Sequence, residues 1–249
     1  MESALRIGHL YPGQMNLYGD RGNVLTLLRR LKWRGLDVEV VPIEVGAEVD
    51  WDRISLVFMG GGEDSHQVLI ADDFRARADQ LLKRFENGLP MLAICGAYQL
   101  LGKEYVTTNQ TILPGVGYFD VRTEPGAERK IGDVVCQVEG LDLSLATLVG
   151  FENHGGVTYL GPDATPLARV STGSGNNGVD GSEGVVRNHV VGTYLHGSLL
   201  PKNPHLADRL ISWALRYAEI QDAFMADLND EWEYRAHQAM LSRQSERHR

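Results

Sequence analysis

Pro90-Met91-Leu92-Ala93-Ile94-Cys95-Gly96-Ala97-Tyr98-Gln99-Leu100-Leu101-Gly102 is the stretch whose reading decides the fold. Leu89–Ile94 is a short apolar run, the pattern of a strand buried on both faces. Cys95 ends that run, and a helix is expected just beyond it. Small residues surround the cysteine at Ala93, Gly96 and Ala97. A sharp strand-to-helix elbow needs such neighbours, because the residue at its apex sits in a strained backbone conformation that larger side chains would crowd. The start of a helix also favours a thiolate, since the helix dipole is positive there. A free cysteine is equally at home as core packing, so Cys95 alone decides nothing.

Outward from this segment the chain alternates strands and helices. Leu5–Leu10, Val38–Ile43 and Ile54–Met59 read as strands. A Gly-, Asn- and Asp-rich loop spans 11–23, and Val24, Leu27, Leu28 and Leu31 then recur at helical spacing until Gly35 stops them. A single helix is expected from Gln67 to Glu86. This order implies an α/β fold whose mostly parallel sheet is flanked by helices. After Lys103 the pattern changes. Val116–Thr123, Lys130–Glu139, Thr147–Phe151, Ala168–Thr172 and Gly184–Leu195 read as additional, antiparallel strands, with hairpin signals at Asn177-Gly178 and Asp180-Gly181. Pro204–Ala223 returns to helix. The core domain is expected over 1–228, and the charged stretch 229–249 reads as a solvated, frayed tail, with a partner-docking helix as the alternative.

Composition narrows the functional classes. The chain has 249 residues, 33 acidic and 24 basic, a formal charge of −9, and 43% apolar residues. It is globular rather than disordered. An acidic chain is ill-suited to broad nucleic-acid binding, which needs surplus Lys and Arg. The longest run without Asp, Glu, Lys or Arg is Asn87–Gly102, too short for a spanning helix. No direct membrane insertion and no secretory signal are expected. With only Cys95 and Cys136, neither a disulfide framework nor a metal site is expected, and a reducing, cytoplasmic setting follows.

A thiolate needs a proton carrier. His196 closes the apolar run Val190-Val191-Gly192-Thr193-Tyr194-Leu195 and precedes Gly197, so it enters a loop where sites form on open α/β sheets. Paired with Cys95 it is the leading general acid/base. An oxyanion needs donors. The Gly96 N–H is one, and the Gly60-Gly61-Gly62 turn offers others, with Gly61 and Gly62 the candidates, although three glycines also make a plain turn. Neither a P-loop nor a dinucleotide-binding glycine pattern occurs.

With these residues placed, the chain resembles the class I glutamine amidotransferases. Ala93-Ile94-Cys95-Gly96-Ala97-Tyr98-Gln99 is similar to their nucleophile elbow, and Tyr194-Leu195-His196-Gly197 to the cobyric-acid-synthase-like branch. Met15–Asn23, Gly60–Asp64, Gly150–Gly156, Gly173–Asn177 and Gly192–Asn203 resemble, within that branch, the glutaminase subunits of lipid II isoglutaminyl synthases. The resemblance implies a flavodoxin-like fold and hydrolysis of L-glutamine, with Cys95 as nucleophile and His196 as base. Arg129 and Gln99 fall to substrate binding, a guanidinium suiting a free α-carboxylate. It implies no cofactor in this chain. ATP and Mg belong to a MurT-like ligase subunit that completes a heterodimer and brings ammonia to lipid II, so that any membrane contact is peripheral. Most of the class carries Glu two residues after the His, where this chain has Ser198. Glu152 and Asp20 are the candidates to orient His196 instead. The alternatives are a glutaminase component of a cobyrinate-type amide synthase and a non-catalytic module of the same fold.

Overall fold

A computed structural model describes residues 5–17, 19–196, 199–220 and 225–247, with side chains to residue 243. Ser198 and the last part of the Pro204–Ala223 helix lie outside the described residues. The elements are β1 (Leu5–Leu10), α1 (Arg21–Trp33), β2 (Val38–Ile43), β3 (Leu56–Met59), α2 (Asp64–Ala76), α3 (Ala78–Glu86), β4 (Met91–Ile94) and α4 (Gly96–Leu101). There follow β5 (Glu104–Val106), β6 (Ile112–Pro114), β7 (Val121–Val138), β8 (Thr147–Leu160), β9 (Ala168–Thr172), β10 (Ser182–Glu183), β11 (Val185–Arg187) and β12 (Val190–Thr193). Helices α5 (Leu199–Lys202), α6 (Pro204–Tyr217) and α7 (Glu231–Arg247) complete the described chain.

The first sheet runs β11-β12-β4-β3-β1-β2, parallel except where β11 folds back on β12. Every residue of β3, β4 and β12 is buried, as a parallel strand covered on both faces requires. The chain lays β2 on one side of β1 and β3 on the other. That reversal opens a crevice beyond the strands' carboxyl ends. The loop after β1, the glycines after β3, Cys95 after β4 and His196 after β12 all reach this edge. A second sheet, β10-β9-β7-β5-β6 with β8 on β7, carries the antiparallel strands. It is tied to the first at His196, whose backbone bridges Phe151 of β8.

Several expected elements differ in extent. The helix expected over Gln67–Glu86 is α2 and α3, parted only at Arg77, whose N–H is shared between the Asp73 and Phe74 carbonyls. Such tightening is common at a helix end. The strands expected at Val116–Thr123 and Lys130–Glu139 are one strand, β7. Its pairing register with β8 shifts between Pro125 and Lys130, which accommodates a residue without an N–H. The partner expected at Thr147–Phe151 runs on to Leu160 through Gly155 and Gly156. Gly184–Leu195 is a hairpin, turned at Asn188 with φ 51°. Asn177-Gly178 and Asp180-Gly181 lie in the loop joining the antiparallel β9 and β10.

The reading of the C-terminal stretch as a frayed tail is also corrected. Residues 231–247 form helix α7, anchored where few apolar residues advertise it. His237 is fully buried, its ring bonded to the Thr147 hydroxyl at 2.8 Å and the Lys202 carbonyl at 2.8 Å, and Met240 packs on Val135 and Val149. The approach to α7 is clamped to α1. Arg30, 1% exposed, donates to both oxygens of Asp208 (2.8 and 2.7 Å) and both of Asp230 (2.5 and 2.9 Å). Removing one partner from a buried ion cluster leaves charge without compensation. Arg30→Met is expected to destabilise the fold by about 3 kcal/mol, read as a lower urea midpoint with an unchanged slope. A midpoint equal to that of the parent chain refutes the clamp.

Candidate active site

Cys95 stands between β4 and α4 with φ 50° and ψ −102°. A non-glycine residue in this region is strained and persists only where its surroundings enforce it. The enforcement is visible. Its N–H donates to the Thr193 carbonyl at 2.8 Å. A methyl group on Gly96 would lie 2.9 Å from Met15 Cε and 3.1 Å from Gln67 Cδ, so the small neighbours expected from the sequence are required. Gly61 separates the cysteine from the histidine. A methyl group there would sit 2.7 Å from His196 Cε1 and 3.4 Å from Cys95 Cβ. The two side chains therefore face each other across a glycine that leaves them room.

His196 is fully buried, and its Nδ1 lies 3.2 Å from Asp20 Oδ1. The other Asp20 oxygen accepts the Gly61 N–H at 2.7 Å. Asp20, also fully buried, occupies the position just ahead of α1, where an aspartate ordinarily caps a helix; its side chain makes no cap bond and turns to the site instead. Burial works against charge on His196. The facing Cys95 sulfur and the Asp20 carboxylate outweigh it and hold the imidazole pKa well above its ordinary range. The imidazole therefore faces the Cys95 sulfur in its charged form.

Beside Cys95 opens a cavity of about 540 Å³. Cys95, Gln99, Arg129, Asp64 and Gly62 line it, while His196 stands behind the cysteine, closed to solvent. The volume suits a small amino acid rather than a macromolecule.

The family model for the CobB/CobQ-like glutamine amidotransferase domain matches residues 6–204. The chain belongs to the CobB/CobQ-like glutamine amidotransferase family. Its sequence is 38% identical over 239 residues, 96% of each chain, to the lipid II isoglutaminyl synthase (glutamine-hydrolyzing) subunit GatD of Staphylococcus aureus strain N315. It is 39% identical to the subunit of the same name from Streptococcus pneumoniae, covering 88% of this chain and 83% of that one. A probable cobyric acid synthase of Methanothermobacter thermautotrophicus is 29% identical over 72% of this chain and 39% of its own length. Among solved structures, PurLQS from Thermotoga maritima shares the fold with a TM-score of 0.61 at 18% identity, covering 86% of this chain and 99% of that one. The glutaminase domain of Trypanosoma brucei CTPS shares it with a TM-score of 0.57 at 11% identity, over 91% and 99% of the two chains. These two likenesses bear on the fold alone.

Within this amidotransferase the remaining expected residues divide. Arg129 reaches the cavity from β7, its Nε held by the Asn153 side chain at 2.6 Å. Gln99 forms part of the cavity floor, where its amide accepts from Gln67 and donates to the Tyr194 hydroxyl, each at 3.0 Å. Gly62 lines the cavity beside Cys95, and Gly96 opens α4, where an N–H has no acceptor within the helix, so both positions suit the oxyanion role expected of them. Gly61 does not, because its N–H is given to Asp20. Glu152 is not the orienter of His196. It accepts the Ser174 N–H at 2.9 Å and the Gly175 N–H at 2.9 Å and faces His154 at 3.8 Å, bracing the loop after β9. Burial opposes its charge, yet these bonds hold the carboxyl below its ordinary range. Glu152→Gln is expected to lower stability by about 1–3 kcal/mol, the cost of weakening a buried bonded charge, while the pH profile of glutamine hydrolysis stays in place. A displaced alkaline limb in that profile contradicts the bracing role.

Proposed function

We propose that the chain is the glutaminase subunit of a lipid II isoglutaminyl synthase. In this reading it hydrolyses L-glutamine through a Cys95 thioester. It delivers the ammonia to an ATP-dependent, MurT-like ligase that amidates the α-carboxylate of D-glutamate in the lipid II stem peptide. The observation that carries the chemistry is Cys95 at a positive-φ elbow, backed by the buried His196–Asp20 pair and open to a cavity that holds Arg129. The end-to-end likeness to two GatD subunits carries the choice of substrate.

The steps follow from those positions. Arg129 takes the α-carboxylate of glutamine through paired hydrogen bonds. The Cys95 thiolate attacks the side-chain carbonyl carbon, and the oxygen that gains charge is held by the N–H groups of Gly62 and Gly96. His196 gives its proton to the amide nitrogen, the C–N bond breaks, and ammonia leaves. The neutral imidazole then takes a proton from water, and the hydroxide so formed attacks the γ-glutamyl thioester. The C–S bond breaks, glutamate departs, and the thiolate and imidazolium are restored. Bulk water at neutral pH would protonate most free ammonia, so the ligase must receive it through a protein interior. ATP and Mg serve that ligase. Among the described residues of this chain no helix is long and apolar enough to cross a membrane. In this reading the subunit works in the cytoplasm and meets the inner face of the membrane through its partner.

The test is co-purification followed by assay. A Mur-ligase-like protein should be retained by the chain, and the pair should convert glutamine, ATP and lipid II into amidated lipid II. Retention of a cobyrinate amide synthetase in its place overturns the proposed acceptor.

A further inference from the structure

Free glutamine is a zwitterion, and the reading above accounts for only one of its two charges. Arg129 meets the carboxylate, while the α-ammonium needs a carboxylate from the wall. Among the described residues two line the cavity, Glu63 and Asp64. Glu63 is exposed and its side chain makes no hydrogen bond or ion pair with another described residue, so ordering it on a ligand costs side-chain entropy. Asp64 is ordered already. Its Oδ1 accepts the Tyr105 hydroxyl, and its Oδ2 accepts the Thr108 N–H at 3.0 Å and the Thr108 hydroxyl at 2.8 Å. Tyr105 is 3% exposed and lines the same cavity as Cys95, so its hydroxyl holds the carboxylate at the wall of the cavity that Cys95 opens into.

All three donors are neutral. A carboxylate offers about four acceptor positions, so one remains open on Oδ1. Among the described residues no cation lies within ion-pair distance of Asp64; Arg129 acts on it only from further across the cavity. Burial disfavours its charge, but the three hydrogen bonds keep the carboxyl below its ordinary range. A fixed negative charge without an ion-pair partner among the described residues, in one cavity with a guanidinium, matches an amino acid's head group. We propose that Asp64 is the counter-charge for the α-ammonium of glutamine and sets the preference for an amino acid over a simple amide.

This inference rests on the glutaminase reading. Its test compares L-glutamine with glutaramate, which keeps the carboxamide and carboxylate and lacks only the ammonium, using the chain with its ligase partner. The parent protein is expected to prefer glutamine by about 10- to 100-fold in kcat/KM, the range for one charge-assisted bond. In Asp64→Asn most of that preference should vanish through a raised KM for glutamine, with kcat for glutamine and turnover of glutaramate kept within about threefold. Glutaramate serves as the internal control. If its turnover falls together with that of glutamine, Asp64 holds up the site rather than the ammonium, and the proposal fails. It fails also if the preference is unmoved, or if Glu63→Gln is the variant that loses it. Absence of hydrolysis of either amide by the parent pair overturns the glutaminase reading itself, and the inference with it.

Discussion

Cys95→Ala is expected to release ammonia from glutamine at least about 10⁴-fold more slowly than the parent chain, with its fold intact. Removal of a covalent nucleophile strips away the whole two-step route, and what remains is water attacking a neutral amide. The change is mild for the structure. Alanine removes one sulfur atom from a residue 8% exposed and keeps the Cβ, so the strained φ of 50° is neither relieved nor worsened. Circular dichroism and the urea midpoint should therefore stay close to those of the parent. Mass spectrometry provides the positive side of the experiment. The parent chain quenched during turnover should carry a γ-glutamyl group on the peptide containing Cys95, and the variant none. Ammonia released equally by both proteins removes this sulfur from the reaction. Cys136, fully buried in β7 with its thiol pushed up by burial, offers no substitute.

Asp20→Asn is the second large effect. The carboxylate raises the pKa of His196 through its hydrogen bond and its charge, alongside the larger contribution of Cys95 and against burial. Without that charge the imidazolium gives up its proton at lower pH. The alkaline limb of the kcat/KM profile should therefore move down, while a limb that stays in place or moves up counts against the assignment. At neutral pH the loss should be roughly 10²-fold or more, because the base loses its tautomer and its alignment together. Asp20→Glu keeps the charge but lengthens the arm. It should recover the alkaline limb better than the rate.

The uneven legibility of the molecule has physical causes. Cys95 and His196 were readable because each ends an apolar strand before a glycine, and the strand-end rule is local. Asp20 was one of two candidates and could not be chosen from the sequence. It stands 176 residues from His196, in a position whose ordinary use is helix capping. The other candidate, Glu152, sits on β8 close to the His196 backbone bridge, yet its side chain leans the other way. The role of Gly61 was misjudged for a similar reason, since which N–H of a glycine turn is already given away depends on a side chain from another loop. In the fold, the strands read separately at Val116–Thr123 and Lys130–Glu139 meet in β7, because a register shift between Pro125 and Lys130 lets the strand continue. Helix α7 hid its anchors, a histidine and a methionine, in a run of charge.

One aspartate grips the glycine turn with one oxygen and the imidazole with the other. The imidazole and the glycine turn thus cannot wander independently. A thermal displacement of either drags its counterpart, so their separation fluctuates less than the position of each. Alignment in this enzyme is a shared coordinate with a single pivot, and evolution could retune it only by moving both components at once.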